Sequence, residues 1–165
     1  MLLPPSEGKS RPVQGGPVDL TALSFPSLTE RRSQVLEALV QTSGRDDALK
    51  TLKVGASLVD EVRANTGLLA APAAPAHSIY SGVLYDALDY AGLSPEARTR
   101  ADRDVLVVSA LWGAVTFADI IPAYRLSMGV DLPGVGKLAT AWRPELSAAL
   151  TDRANDELVV DVRSS

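Results

Sequence analysis

The chain contains no cysteine and a single histidine, His77. These two shortages exclude disulfides, cysteine-based zinc sites, iron–sulfur clusters and a cysteine nucleophile. They also exclude multi-histidine metal sites and the HExxH motif. Any chemistry must rest on carboxylates, Arg, Lys, Tyr, Ser or Thr. No metal site and no cofactor are expected. Basic residues are also in deficit, 16 Lys and Arg against 20 Asp and Glu, for a net charge of −4. That balance disfavours indiscriminate coating of nucleic acid and leaves room for a local basic face. Long apolar runs are absent too. No segment reaches the ~18 residues a membrane-spanning helix needs. Met1-Leu2-Leu3-Pro4-Pro5 lacks the basic and apolar regions of a signal peptide. The expectation is a cytoplasmic protein with no membrane partner.

The chain has 165 residues, of which 46% are apolar and 22% charged. This is the composition and length of one ordinary globular domain. Leu2-Leu3 reads as a very short buried strand stopped by Pro4-Pro5, since proline lacks the ladder N–H. Ser6 to Val18 is rich in Gly and Pro and reads as an extended loop. Ser27-Leu28-Thr29-Glu30 fits a capping box, and Leu28, Val35, Leu36, Leu39 and Val40 form the apolar stripe of the helix it opens. Val105-Leu106-Val107-Val108 and Leu158-Val159-Val160-Asp161-Val162 read as strands buried on both faces. Ser94-Pro95-Glu96 and Pro144-Glu145 mark helix starts. Apolar strands alternating with helices predict an α/β or mixed α+β layered fold.

Gly8-Lys9-Ser10 is not a P-loop. The first glycine of that motif would stand at Leu3, and Pro4-Pro5 remove N–H groups from the cradle. Ser6 and Lys9 remain polar groups beside a strand end, where α/β sheets bind ligands. Arg125 is suited to grip phosphate or carboxylate, or else to pair with Asp119 or Asp161. Asp161 and Arg163 share one face by alternation and make either a site or a local ion pair. Residues 45–65 outline a helix, a tight turn and a second helix. Arg45, Lys50, Lys53, Gly55 and Arg63 are its DNA-backbone candidates, and a plain packed hairpin is the alternative.

Several segments, taken in order, resemble the YaaA-type peroxide stress proteins. They are Leu2 to Ser10, Leu23-Ser24-Phe25-Pro26, Tyr80 to Leu88, Ser109 to Gly113, Ile121 to Gly129 and Val160 to Ser164. The resemblance implies a cytoplasmic bacterial protein that protects against hydrogen peroxide and limits damage by free iron. It also implies DNA binding through a helix-hairpin-helix element at about 45–65. Family members are longer, so residues 1–165 are expected to be a single YaaA-like domain truncated at its C-terminus. The shared polar positions would be Ser6, Lys9, Tyr80, Ser109, Tyr124, Arg125, Asp161 and Arg163. With so few nitrogen and sulfur ligands, an effect on iron would be indirect. The alternative function is an enzyme acting on a small anionic substrate at these Ser, Lys, Tyr, Arg and Asp residues.

Overall fold

A computed structural model describes residues 1–155 and 157–163. In chain order the elements are β1 (Leu2–Leu3), α1 (Thr29–Ser43), α2 (Ala48–Thr51), α3 (Val59–Ala64), β2 (Ala74–Pro75), α4 (Ala76–Ile79), α5 (Val83–Leu88), α6 (Pro95–Asp104), β3 (Leu106–Ser109), β4 (Gly113–Thr116), β5 (Ile120–Ile121), β6 (Asp131–Leu132), β7 (Gly136–Lys137) and α7 (Leu138–Ala154). The architecture is mixed α+β. The central sheet has the order β1-β3-β4, with β1 parallel and β4 antiparallel to β3. Two further antiparallel pairs, β2 with β5 and β6 with β7, lie outside it.

The apolar runs form the centre. Leu2, Leu3 and Val105 to Val108 are all buried, and Val107 is fully excluded from solvent. Helix α1 buries Leu28, Val35, Leu36 and Leu39, as its stripe requires. The expected capping box does not form. Pro26 opens a 3-10 turn over Pro26–Leu28, so Leu28 takes the N-cap position and no side chain caps the helix. Helix α6 does start as expected, with Ser94 Oγ accepting from the Ala97 N–H at 3.3 Å. Helix α7 begins at Leu138, six residues ahead of Pro144. Leu138, Trp142, Leu146 and Ala149 fall on one buried face. Burial of the two residues before the proline outweighs the backbone bond that the proline removes.

The C-terminal strand differs from expectation in its burial. It pairs with β1 through the backbone: the Leu2 N–H donates to Val160 O at 2.8 Å, and the Val162 N–H donates to Leu2 O at 3.1 Å. Yet Leu158 is 90% exposed, and Val159, Val160 and Val162 are also exposed. No described layer covers them, so the run is an edge of the sheet rather than its centre.

One residue at the heart of the fold is neither apolar nor neutral. Arg32 is fully buried in α1. Its guanidinium donates to Trp112 O at 2.9 Å, Ala114 O at 2.8 Å and Ser24 O at 2.6 Å. Buried Asp119 completes the lock by accepting from the Ser24 N–H at 2.9 Å and the Thr116 N–H at 2.8 Å. Burial lowers the pKa of Arg32 to about 10, with Asp119 pulling the other way.

Replacing Arg32 with Leu strands three buried carbonyls and leaves Asp119 without its countercharge. The expected loss is about 3–5 kcal/mol, read as a fall in the urea midpoint. A loss below about 1 kcal/mol, the worth of an ordinary hydrogen bond, contradicts this account. Gly113 sits at φ 71°, and a Cβ there would lie 2.8 Å from the Trp142 ring. Gly113→Ala is expected to cost about 2–4 kcal/mol from strain and overpacking together. A thermal transition unchanged from the parent would refute it.

Candidate functional site

Beyond β1 the two prolines end the ladder, and residues 6–10 fold over the chain at 79–81. Lys9 forms an antiparallel bridge with Tyr80, and the Ser10 N–H donates to Ile79 O at 2.8 Å. Ser6 Oγ accepts from the Ser81 N–H at 3.1 Å. The Tyr85 hydroxyl donates to Pro4 O at 2.6 Å. Strand β3 ends on fully buried Ser109, whose Oγ accepts from the Trp112 N–H at 3.0 Å. Tyr124 and Arg125 follow β5. Buried Asn65 holds this backbone from both sides: it accepts from the Arg125 N–H at 2.9 Å and donates to Arg125 O at 2.9 Å.

These elements bring Ser6, Lys9, Tyr80, Ser109, Tyr124 and Arg125 together. The Tyr80 and Tyr124 hydroxyls are 3.2 Å apart, and the buried Ser109 side chain lies near both. Lys9 Nζ lies 4.4 Å from the Tyr124 ring centroid and 5.7 Å from that of Tyr80. It donates to Ser6 O at 2.7 Å and to Glu7 O at 3.5 Å. The Arg125 side chain is only 16% exposed and pairs with Glu7 at 3.4 Å and Glu61 at 3.7 Å. Lys9, Arg11, Glu61, Ala123 and Tyr124 line a small cavity of about 50 Å³.

Electrostatics mark the same place. Burial lowers the pKa of Lys9 to about 8; Arg125 adds to the shift, and Glu61 and Glu7 oppose it. Burial pushes Tyr124 up to about 12 and Tyr80 well above the ordinary phenol value. Both phenols are therefore proton-bearing at neutral pH. The arrangement holds two cations beside neutral hydroxyl donors, which suits recognition of a small anion.

The remaining residues named from sequence lie elsewhere or are otherwise engaged. Asp161 and Arg163 pair with each other, Arg163 Nε donating to Asp161 Oδ1 at 2.8 Å. That bond holds the Asp161 carboxyl down at about 2. Arg125 pairs with neither Asp119 nor Asp161: Asp119 is committed to Ser24 and Thr116, and Asp161 to Arg163. Residues 45–65 do form two short helices around a tight turn, with Lys53 at φ 57°. Their cations are largely occupied, however. Arg45 pairs with Asp47 at 2.9 Å, Arg63 with Asp60 at 4.0 Å, and Lys53 Nζ donates to Gly129 O at 2.8 Å. Glu7, Glu61 and Asn65 were not singled out from sequence. The spacing of Glu61 and Asn65 was a usable signal, since residues four apart on a helix share a face. Among the described residues no three His, Asp or Glu side chains gather as a metal cluster, and no helix is long and apolar enough to cross a membrane.

The depressed Lys9 pKa has a thermodynamic consequence. The unfolded lysine titrates at 10.5 and the folded one at about 8. Between these values the unfolded state binds more protons, so stability rises with pH through that window. Tyr80 and Tyr124 act in the opposite sense only as pH nears the ordinary phenol value of about 10. Chemical denaturation between about pH 7.5 and 9.5 is therefore expected to show a gain for the parent that Lys9→Met lacks. A parent-minus-variant difference that stays flat across this range would contradict a desolvated Lys9.

Comparison with known proteins identifies the family. The family described as peroxide stress protein YaaA matches residues 1–165. A UPF0246 protein of Streptomyces coelicolor is 49% identical over 167 residues, covering 100% of this chain and 64% of that relative. UPF0246 proteins of Corynebacterium efficiens and Corynebacterium glutamicum are 43% and 44% identical, each over 99% of this chain and 66% of the relative. The chain thus spans just under two thirds of the length of these relatives. With the whole chain matched and identity this high, it belongs to the YaaA peroxide stress protein family, which the relatives' names render as UPF0246.

Proposed function

We propose that the protein serves in defence against peroxide stress in the cytoplasm, through a small anionic ligand held by Lys9 and Arg125. Family membership supports the stress role. The observation that carries the site is the pairing of a desolvated lysine with a nearly buried arginine, beside the Tyr80–Tyr124–Ser109 hydroxyl cluster. Two like charges raise each other's energy when withdrawn from water, and Glu7 and Glu61 only partly offset this. An anion between them relieves the repulsion and receives charge-assisted hydrogen bonds. Any effect on iron damage is then indirect, exerted through that ligand.

DNA contact through residues 45–65 is the second reading. It is favoured by an extended Gly55 leading directly into the helical turn Ala56–Leu58, which presents backbone N–H groups, and by exposed Lys50. Its weakness is the internal pairing of Arg45, Lys53 and Arg63.

Calorimetric titration with phosphate and with oxalate, beside fluorescence anisotropy with duplex DNA at two salt concentrations, separates the readings. Small-anion binding that falls about 10- to 100-fold in Arg125→Gln, as expected for one lost charged hydrogen bond, supports the site. DNA affinity that drops steeply with salt and is lost in Lys50→Ala supports the second reading instead. In cells lacking their own relative, the parent chain is expected to raise survival after a peroxide challenge, and Lys9→Met with Arg125→Gln to abolish that gain. Equal protection by the double variant at equal abundance would remove the site from the stress role.

A further inference from the structure

The anion site also contains a reactive group. Lys9 Nζ has two backbone acceptors, Ser6 O at 2.7 Å and Glu7 O at 3.5 Å. Arg125 Nη1 donates to the same Glu7 carbonyl at 3.1 Å, so the guanidinium and the amine stand side by side at one oxygen. In its neutral form the amine carries a lone pair that can act as a nucleophile. The Lys9 side chain opens on the cavity of about 50 Å³, which has room for a few heavy atoms. Arg125 pairs with Glu61, a lining residue of that cavity, and its planar fork is of the kind that binds a carboxylate. Two proton-bearing phenols, Tyr124 and Tyr80, lie against the lysine.

We propose that Lys9 forms an imine with a small oxo acid whose carboxylate is held by Arg125. This rests on the anion-binding reading of the same site and gives its ligand a chemical class. The amine nitrogen attacks the carbonyl carbon; the N–C bond forms as the carbonyl π electrons move to oxygen. A proton passes from nitrogen to that oxygen. The carbinolamine then loses water as the C–O bond breaks, and the nitrogen loses its second proton. One amine and one carbonyl become one imine and one water, with no oxidant or reductant consumed.

The charged groups around Lys9 are consistent with this role. Arg125 and burial disfavour the ammonium, whereas Glu61, Glu7 and the two ring faces favour it. The balance leaves roughly a tenth of Lys9 neutral at pH 7. A solvent-exposed lysine with an ordinary pKa near 10.4 is neutral in fewer than about one molecule in a thousand at that pH.

The test is reductive trapping of the parent protein. The chain is incubated with glyoxylate and cyanoborohydride, which adds hydride to the imine carbon, and the modified lysine is located by peptide mass analysis. Lys50, Lys53 and Lys137 in the same molecules are the internal controls. Lys9 is expected to be labelled at least tenfold faster than any of them, with a rate that climbs through about pH 8 and levels off there. Arg125→Gln is expected to remove the preference, and oxalate, which has no reactive carbonyl, to protect Lys9. Labelling of Lys9 no faster than the control lysines overturns the proposal. If oxalate and phosphate still bind in that case, only the imine chemistry fails; if neither binds, the anion site fails with it.

Discussion

The structure depends most on the burial of one guanidinium. Arg32 sits in α1 where the helix faces the core, and its donors reach carbonyls of three separate segments: the 24–25 loop, the β3–β4 turn and β4 itself. Taking such a charge out of water is costly unless every donor is used and a countercharge is near. Four of the five Arg32 donors find carbonyls, and Asp119, which ties the same 24–25 loop to the end of β4, supplies the opposing charge. The Trp112 residue whose carbonyl Arg32 holds also donates its N–H to Ser109, and Ser109 lies near the Tyr80–Tyr124 pair. A single buried cation in the core thus anchors the hydroxyl cluster of the candidate site.

What could be read from the chain beforehand follows from how each signal is encoded. Val105 to Val108 and Leu2-Leu3 were legible because uninterrupted apolar residues have few places to go besides a buried sheet. The stripe of α1 was legible too, and Arg32 occupies the same face as Leu28, Val35, Leu36 and Leu39. A charge inside an apolar stripe was the available sign of a buried pair. The terminal run at 158–162 has the same composition as β3 and a different fate. Apolar composition reports a preference for burial, and whether another layer covers the strand is a long-range matter that local composition does not encode. Its backbone pairing with β1 was within reach of pattern reasoning; its exposure was not.

At the site, Lys9, Tyr80, Tyr124 and Arg125 were named from their segments, and the structure adds how they are held. Glu7 and Glu61 supply partial countercharge, and Asn65 fixes the Arg125 backbone by a reciprocal pair of hydrogen bonds. These partners are far from Arg125 in sequence, and each looked like ordinary surface or helix-end chemistry. Asp161 and Arg163 show the converse. Their alternation placed them correctly on one strand, and they satisfy each other there.

The hairpin at 45–65 gains a meaning from this arrangement that its charges alone do not provide. Its four acids cancel its four bases, and three of its cations have surface partners on the chain. Its second helix and the residue after it deliver Glu61 and Asn65 to Arg125. Glu61 opposes the lowering of the Lys9 pKa and so favours its charged form. A site that recruits an anion and then uses a free amine, as proposed, would draw on both forms of that lysine. A helix carrying one carboxylate to the rim of the cavity is a direct physical means of holding the balance there. On the proposed reading of the site, the hairpin is the wall beside the Lys9–Arg125 pair, because it supplies Glu61 to the cavity and Asn65 to the Arg125 backbone.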